Sequence, residues 1–192
     1  MKVSPPNQLI VRFKDEIGHA QAGVLPDSHP NQPDTMRREM TWGNLMAAGA
    51  GVEHLFGYKY SHNDLNCEDW HIRDRVWKMT SCATNFFQKL PLERMTPDND
   101  PVSAKEAYCL AAPGDTYVVY LKSGGETTLD LTDVSGKFPV KCVDPRNGGV
   151  LQKGSITSVK GGSIRALGAP PREDSADWAI LVGENKVWVG YH

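Results

Sequence analysis

The sequence lacks a C-x-x-C pair, a long apolar run and an excess of charge of either sign, and each absence removes a class of function. Its four cysteines, Cys67, Cys82, Cys109 and Cys142, are spaced neither as a zinc ribbon nor as a redox dithiol. On one helix, Cys67 and Cys82 would be fifteen positions apart, beyond disulfide reach at about 1.5 Å of rise per residue. Cys109 and Cys142 can meet across strands, but four buried thiols is the plainer expectation. The six histidines show no metal-ligand spacing, so no metal and no cofactor are expected. No apolar stretch approaches the roughly 20 residues of a membrane helix, and the opening MKVSPPNQL has no signal-peptide core. As written, the chain reads as cytoplasmic, with no membrane partner. Formal net charge is −2, from 21 basic and 23 acidic residues spread along the chain, which leaves no electrostatic footprint for nucleic acid.

What is present can fill a core: 40% of residues are apolar, with five Trp, five Phe and six Tyr. Residues 8–13, QLIVRF, alternate as a strand that delivers Asp15-Glu16-Ile17-Gly18 at its C-terminal end. The Gly-, Pro- and Asp-rich stretch 19–33 is long-loop chemistry, and long loops in compact domains are often functional. Asp34 is placed to cap a helix carrying Met36, Met40, Leu45 and Met46, which ends near Gly49. Ala47 to Gly51 then reads as a tight turn into a strand, Val52 to Phe56. An aromatic and polar loop follows, Gly57 to Asp64. Asn66 can cap a second helix, with Asp69 at the capping-box position and a 4-3-4-3-4 stripe of Ile72, Val76, Met79, Ala83, Phe86 and Leu90. Trp42, Trp70 and Trp77 are assigned to packing, and His54 to the core. Pro91 stops the helix, and the segment to Pro101 reads as an interdomain connection.

From Glu106 the period changes to short β-like runs: 107–112, 116–122, 127–132, 138–144, 155–159, 163–167, 178–182 and 186–191. Glycine-rich turns separate them, including Asn147-Gly148-Gly149 and Gly161-Gly162, so an antiparallel sandwich is predicted. Pro139 implies an edge strand or a bulge. Asp144 to Gly149 has the residues of a structural turn.

This order resembles a known family. The strand with Glu16-Ile17-Gly18, long loop, Arg-rich helix, Trp42, small-residue turn, Gly51-Val52-Glu53 and Phe56-Gly57-Tyr58 is similar to the last two β/α units of a glycoside-hydrolase-like TIM barrel. The run from His62 to Trp70, then Tyr108 to Ala111, Tyr117 to Leu121, Asp144 to Gly149, Gly161-Gly162 and Asp177-Trp178 resembles bacterial barrel proteins that end in a collagen-binding-type β-sandwich. The resemblance spans residues 8–182 and implies α/β plus all-β architecture. Residues 1–95 would be the last two β/α units of a TIM-type barrel, and 103–192 an antiparallel β-sandwich expected to fold alone. For the family an extracellular location is expected.

By position in the resemblance, Glu16 corresponds to the catalytic nucleophile after strand seven. Retaining glycosidases need a second carboxyl, about 5–5.5 Å away, which the family places after strand four. A complete barrel needs eight units and about 250 residues, so two units do not assemble that mechanism in one copy. Tyr58, Tyr60, His62 and Asp64 can stack on and hydrogen-bond a sugar, because aromatic faces suit its C–H side. The expected function is therefore carbohydrate-associated and non-catalytic in this chain, with an oligosaccharide or polysaccharide as ligand and self-association through the incomplete barrel. The alternatives are part of an active hydrolase completed by other sequence, and a structural module that binds nothing.

Overall fold

The computed structural model describes residues 23–29, 34–172 and 175–183, and the backbone of 12–17. Strand β1, Arg12–Ile17, pairs in parallel with β2, Gly49–His54, with Arg12 opposite Gly49 and Ile17 opposite His54. The crossover carries a wide, π-type helical segment, Met36–Trp42, that runs on into a short α-helix, α1, Gly43–Met46. The expected strand–helix–strand unit is present, with shifted bounds. The first strand lies later than 8–13, and residues 8–11 fall outside the described residues. The second begins at Gly49, so the small residues read as a turn are mostly strand. Asn44 explains the shift: its side chain donates to the Gly51 carbonyl at 2.7 Å and occupies the space a Cβ on Gly49 would need. Only Ala47 and Ala48 remain to turn the chain, and Ala48 takes a φ of 58°. Asp34 does not cap the helix. Helical backbone already runs through Thr35, and the Asp34 carboxylate is drawn to Arg37 at 2.7 Å and Arg38 at 3.7 Å.

After β2 and its loop, a 3₁₀ turn, Trp70–Arg73, enters helix α2, Asp74–Phe87. The cap is Asp69, which accepts from the His71 N–H at 2.9 Å; Asn66 instead accepts from the Asn63 N–H within the loop. The predicted stripe holds: Val76, Ala83, Phe86 and Leu90 are buried. The helix ends at Phe87, before Pro91.

The rest is mostly antiparallel sheet. Strands β3 (Thr96–Pro97), β4 (Ala107–Ala112), β5 (Thr116–Leu121), β7 (Lys137–Val143), β8 (Ser158–Lys160) and β10 (Trp178–Val182) form one sheet in the order β3-β4-β5-β10-β7-β8. Strands β6 (Thr128–Asp130) and β9 (Ile164–Ala166) pair separately. The run 186–191 lies outside the described residues. Strand β7 is interior rather than at an edge, yet Pro139 sits where its missing N–H costs nothing. It lies past the end of the β10 ladder and offers only its carbonyl, to the Gly183 N–H at 3.0 Å.

The six-stranded sheet is buried on both faces. Alternation sends Cys109, Val119, Leu121, Ile180 and Val182 into one core with Leu129, Leu131, Phe138 and Leu167. It sends Leu110, Val118, Tyr120, Ala179 and Leu181 into another, covered by Trp42, Met46, Phe86, Phe87, Leu90 and Met95. The segment from Pro91 to Pro101 is thus not a bare connection: it carries β3, hydrogen-bonded to β4, and lends Met95 to this second core. None of the four cysteines is in a disulfide, and Cys67 is exposed rather than buried. Burial pushes the Cys109 thiol up to about 12 and Cys142 to about 11, which leaves both inert at neutral pH. No helix among the described residues is long and apolar enough to cross a membrane.

The 144–149 turn is held by Asp144, only 2% exposed. Its carboxylate accepts from the Arg146 N–H at 3.0 Å and Nε at 2.8 Å, from Asn147 Nδ2 at 3.0 Å and from Arg172 at 2.9 Å. Burial alone would raise its pKa, but the hydrogen bonds from Arg146 and Asn147 and the Arg146 charge hold it below 3.8. A depressed folded-state pKa contributes stability above the unfolded value that is lost as pH falls through the folded one. Thermal unfolding followed from pH 6 to pH 3 is expected to show an acid loss setting in near pH 4, and Asp144→Asn should make that limb shallower. An unchanged limb in the variant would remove Asp144 as its cause.

Candidate functional site

Because β1 and β2 are parallel, their C-terminal ends lie on one side, and the 57–64 loop leaves from that side. The Glu16 backbone lies there, just before the Ile17 and His54 pairing; side chains of 12–17 are outside the described set. Residues 23–29 of the long loop run against the same end. The Val24 N–H donates to the Leu55 carbonyl at 2.7 Å, and Gly23 (φ 57°) has no room for a Cβ against the Phe56 and Gly57 backbone.

A single buried cation organises the loop. Arg73, with no exposed surface, donates from Nε to the Val24 carbonyl at 2.7 Å, from one terminal nitrogen to the His62 carbonyl at 2.8 Å and from the other to the Phe56 carbonyl at 3.5 Å. Its guanidinium also lies 4.4 Å from the centre of the Phe56 ring. Burial lowers its pKa, yet a guanidinium stays protonated, so the three carbonyls are held by a permanent charge. Sequence reading passed over Arg73. The signal was available: a basic residue directly after Ile72 of an apolar stripe, pointing back toward the sheet end.

The four predicted loop residues do different things. Asp64 closes the loop, its two oxygens accepting from the Phe56 N–H at 3.0 Å and the Gly57 N–H at 2.8 Å. His62, at φ 52°, accepts from the Asp69 N–H through Nδ1 at 3.1 Å, which leaves Nε2 as the protonated nitrogen of the neutral ring. Tyr60 is half-buried, edge-on to His29 at 5.8 Å and with Lys59 Nζ 5.6 Å from its ring. Tyr58 stands out, 60% exposed. His54, expected in the core, is half-buried at the end of β2, bonded to the Thr80 hydroxyl at 2.9 Å and edge-on to Trp77 at 5.8 Å. Burial lowers its pKa, which keeps it neutral.

Trp70 departs from expectation. It is half exposed, at 50%, whereas Trp42 is fully buried. One face stacks on the His71 ring at 3.9 Å, and the Trp77 indole meets it edge-on at 6.2 Å while donating its Nε1–H to the Trp70 carbonyl at 3.0 Å. The bond between Asp69 and His62 ties this turn to the 57–64 loop. Among the described residues no group of three or more His, Cys, Asp or Glu side chains is placed to hold a metal ion.

Over residues 95–183 the sequence matches the model of a family described as "Putative collagen-binding domain of a collagenase". No curated protein matches the chain. Among solved structures, a glycoside hydrolase superposes with a TM-score of 0.63 at 16% identity, covering 89% of this chain and 40% of that one. A glycoside hydrolase family 5 from Bacteroides vulgatus ATCC 8482 gives 0.64 at 15% identity, covering 93% of this chain and 42% of that one. The chain shares the fold of part of a glycoside hydrolase. It spans about two-fifths of the length of each of these structures.

Proposed function

We propose that this chain is a glycoside-hydrolase-derived, carbohydrate-associated protein that does not turn over glycosides by itself. In this reading the strand–helix–strand unit and α2 are the last two β/α units of a TIM-type barrel, and the antiparallel sheets are an accessory β-sandwich. The observation that carries it is continuity: one superposition on a glycoside hydrolase takes in 93% of the chain. Saccharide would be held at the 57–64 loop, at the strand end where α/β folds gather ligand contacts. The missing turnover follows from chemistry, since a retaining mechanism needs two carboxyls about 5–5.5 Å apart, and the resemblance assigns only Glu16 within this stretch.

A second reading makes the same residues part of an active hydrolase, favoured by the coverage of only 40% of the first glycoside hydrolase. A panel of nitrophenyl glycosides separates the two. The expected result is no turnover by this chain and no effect of Glu16→Gln. Turnover abolished by Glu16→Gln would favour the active enzyme. Calorimetry with plant and bacterial oligosaccharides, set beside triple-helical collagen peptides, tests the ligand class. Collagen binding without saccharide binding would overturn the proposal, and no binding at all would leave a structural module.

A further inference from the structure

We propose that Trp70, outside the loop already named, is the main stacking platform of the site, and that it takes neutral pyranosides rather than uronates. This rests on the saccharide reading above. An indole is the side chain with most to gain from burial, yet Trp70 is left 50% exposed at the head of α2, off the helix's buried stripe. Its neighbours restrict it. His71 covers one face at 3.9 Å, Trp77 abuts it and bonds its carbonyl, and Asp69 fixes the turn through His71 and His62. A ring flanked by two other rings has part of its freedom removed before binding, so its outer face is preorganised for a flat, apolar partner. The C–H face of a pyranose with equatorial hydroxyls is such a partner.

Charge selects among sugars. Glu68, Asp69 and Asp74 lie within seven positions; of the two guanidiniums beside them, Arg73 is buried and committed to backbone carbonyls, and Arg75 lies close enough to Asp34 to lower its pKa. Asp74 also meets the His71 ring nitrogen at 3.1 Å, at the edge of the platform. Carboxylates accept from sugar hydroxyls and repel a uronate, so a neutral ligand is favoured.

The test is calorimetry of the full chain with cellohexaose, laminarihexaose, mannohexaose and hexagalacturonate. Wild type is expected to bind at least one neutral hexasaccharide and to discriminate against hexagalacturonate. Trp70→Ala should weaken binding between roughly two- and twelve-fold, the range of one aromatic pair, and Trp70→Phe should retain most of it. Leu65→Ala, which trims another exposed apolar side chain of the same region, should change nothing, and melting curves of all variants should overlay. Binding that depends on Tyr58 but not on Trp70 would overturn this assignment and leave the saccharide reading intact. Preference for hexagalacturonate would overturn the neutral class alone. Absence of binding to all four would remove the reading and this inference together.

Discussion

Replacing Trp42 with alanine is expected to cost about 3–5 kcal/mol, the range for deleting a large aromatic from a core that only partly collapses. Trp42 has no exposed surface and stacks on Tyr120 at 5.3 Å and on Phe86 at 5.6 Å, with Phe87 edge-on at 5.2 Å. Those partners come from β5 and from α2, so one ring joins three elements distant in sequence. Its Nε1 has no acceptor among the described residues, so Trp42→Phe forfeits no hydrogen bond there and should recover much of the loss. Urea unfolding monitored by circular dichroism gives the number, and a cost below about 1 kcal/mol would show that the helices and the sheet do not share a core.

The same face bears on how the chain divides. Residues 103–192, made alone, lose β3 but keep the other strands of both antiparallel sheets, and uncover Leu110, Val118, Tyr120, Ala179 and Leu181. A contiguous apolar patch of this kind favours association. The turn residues and strand patterns of that segment argue for autonomous folding; the shared core argues that it folds as an associating species rather than a monomer.

Much of this was legible in the residues. Strands β4 and β10 fall where the apolar runs AYCLAA and WAILV place them, and β5 where TYVVYLK does but for its last residue, because Gly and Pro turns leave few alternatives between them. The same runs also carried a message about burial. A strand with one wet face alternates, whereas YVVYL (117–121) and WAILV are apolar throughout, the pattern of a sheet covered on both sides. The short β3 escaped because two residues, one of them Pro97, leave no periodicity to detect. Trp70 was misjudged for a different reason: helical position was read as packing, although 70 lies off the 72-76-79-83 stripe. Arg73 was signalled by its place directly after Ile72, but its partners, like those of Asp64 and Asn44, are backbone groups set by tertiary contact, which pattern does not show.

Removing the carboxylate of Asp177 is expected to match or exceed the loss at Trp42. Asp177 has no exposed surface and receives Arg37 through two nitrogens at 2.9 and 2.6 Å, the Tyr120 hydroxyl at 2.8 Å and Arg38 at 3.5 Å. Burial by itself would lower the Arg37 pKa, but the hydrogen bonds and charge of Asp177 hold it above its ordinary value. Burial together with the neighbouring carboxylate keeps the Tyr120 hydroxyl protonated far beyond its usual range. Asp177→Ala therefore strands a guanidinium only 4% exposed, with the largely exposed Asp34 as its remaining carboxylate, and leaves the tyrosine donor without that acceptor. Breaking one side of a buried pair costs about 3–5 kcal/mol, chiefly from the charge left behind. Taking out both charges, as in Arg37→Met with Asp177→Leu, should restore part of the stability, because an apolar pair needs no compensation while the Tyr120 hydroxyl still lacks its acceptor. Urea unfolding of Arg37→Met, Asp177→Leu and the double variant closes the cycle. A double variant as unstable as the sum of the singles would mean that the pair is not coupled, and that the helical segment and the start of β10 are joined by packing alone.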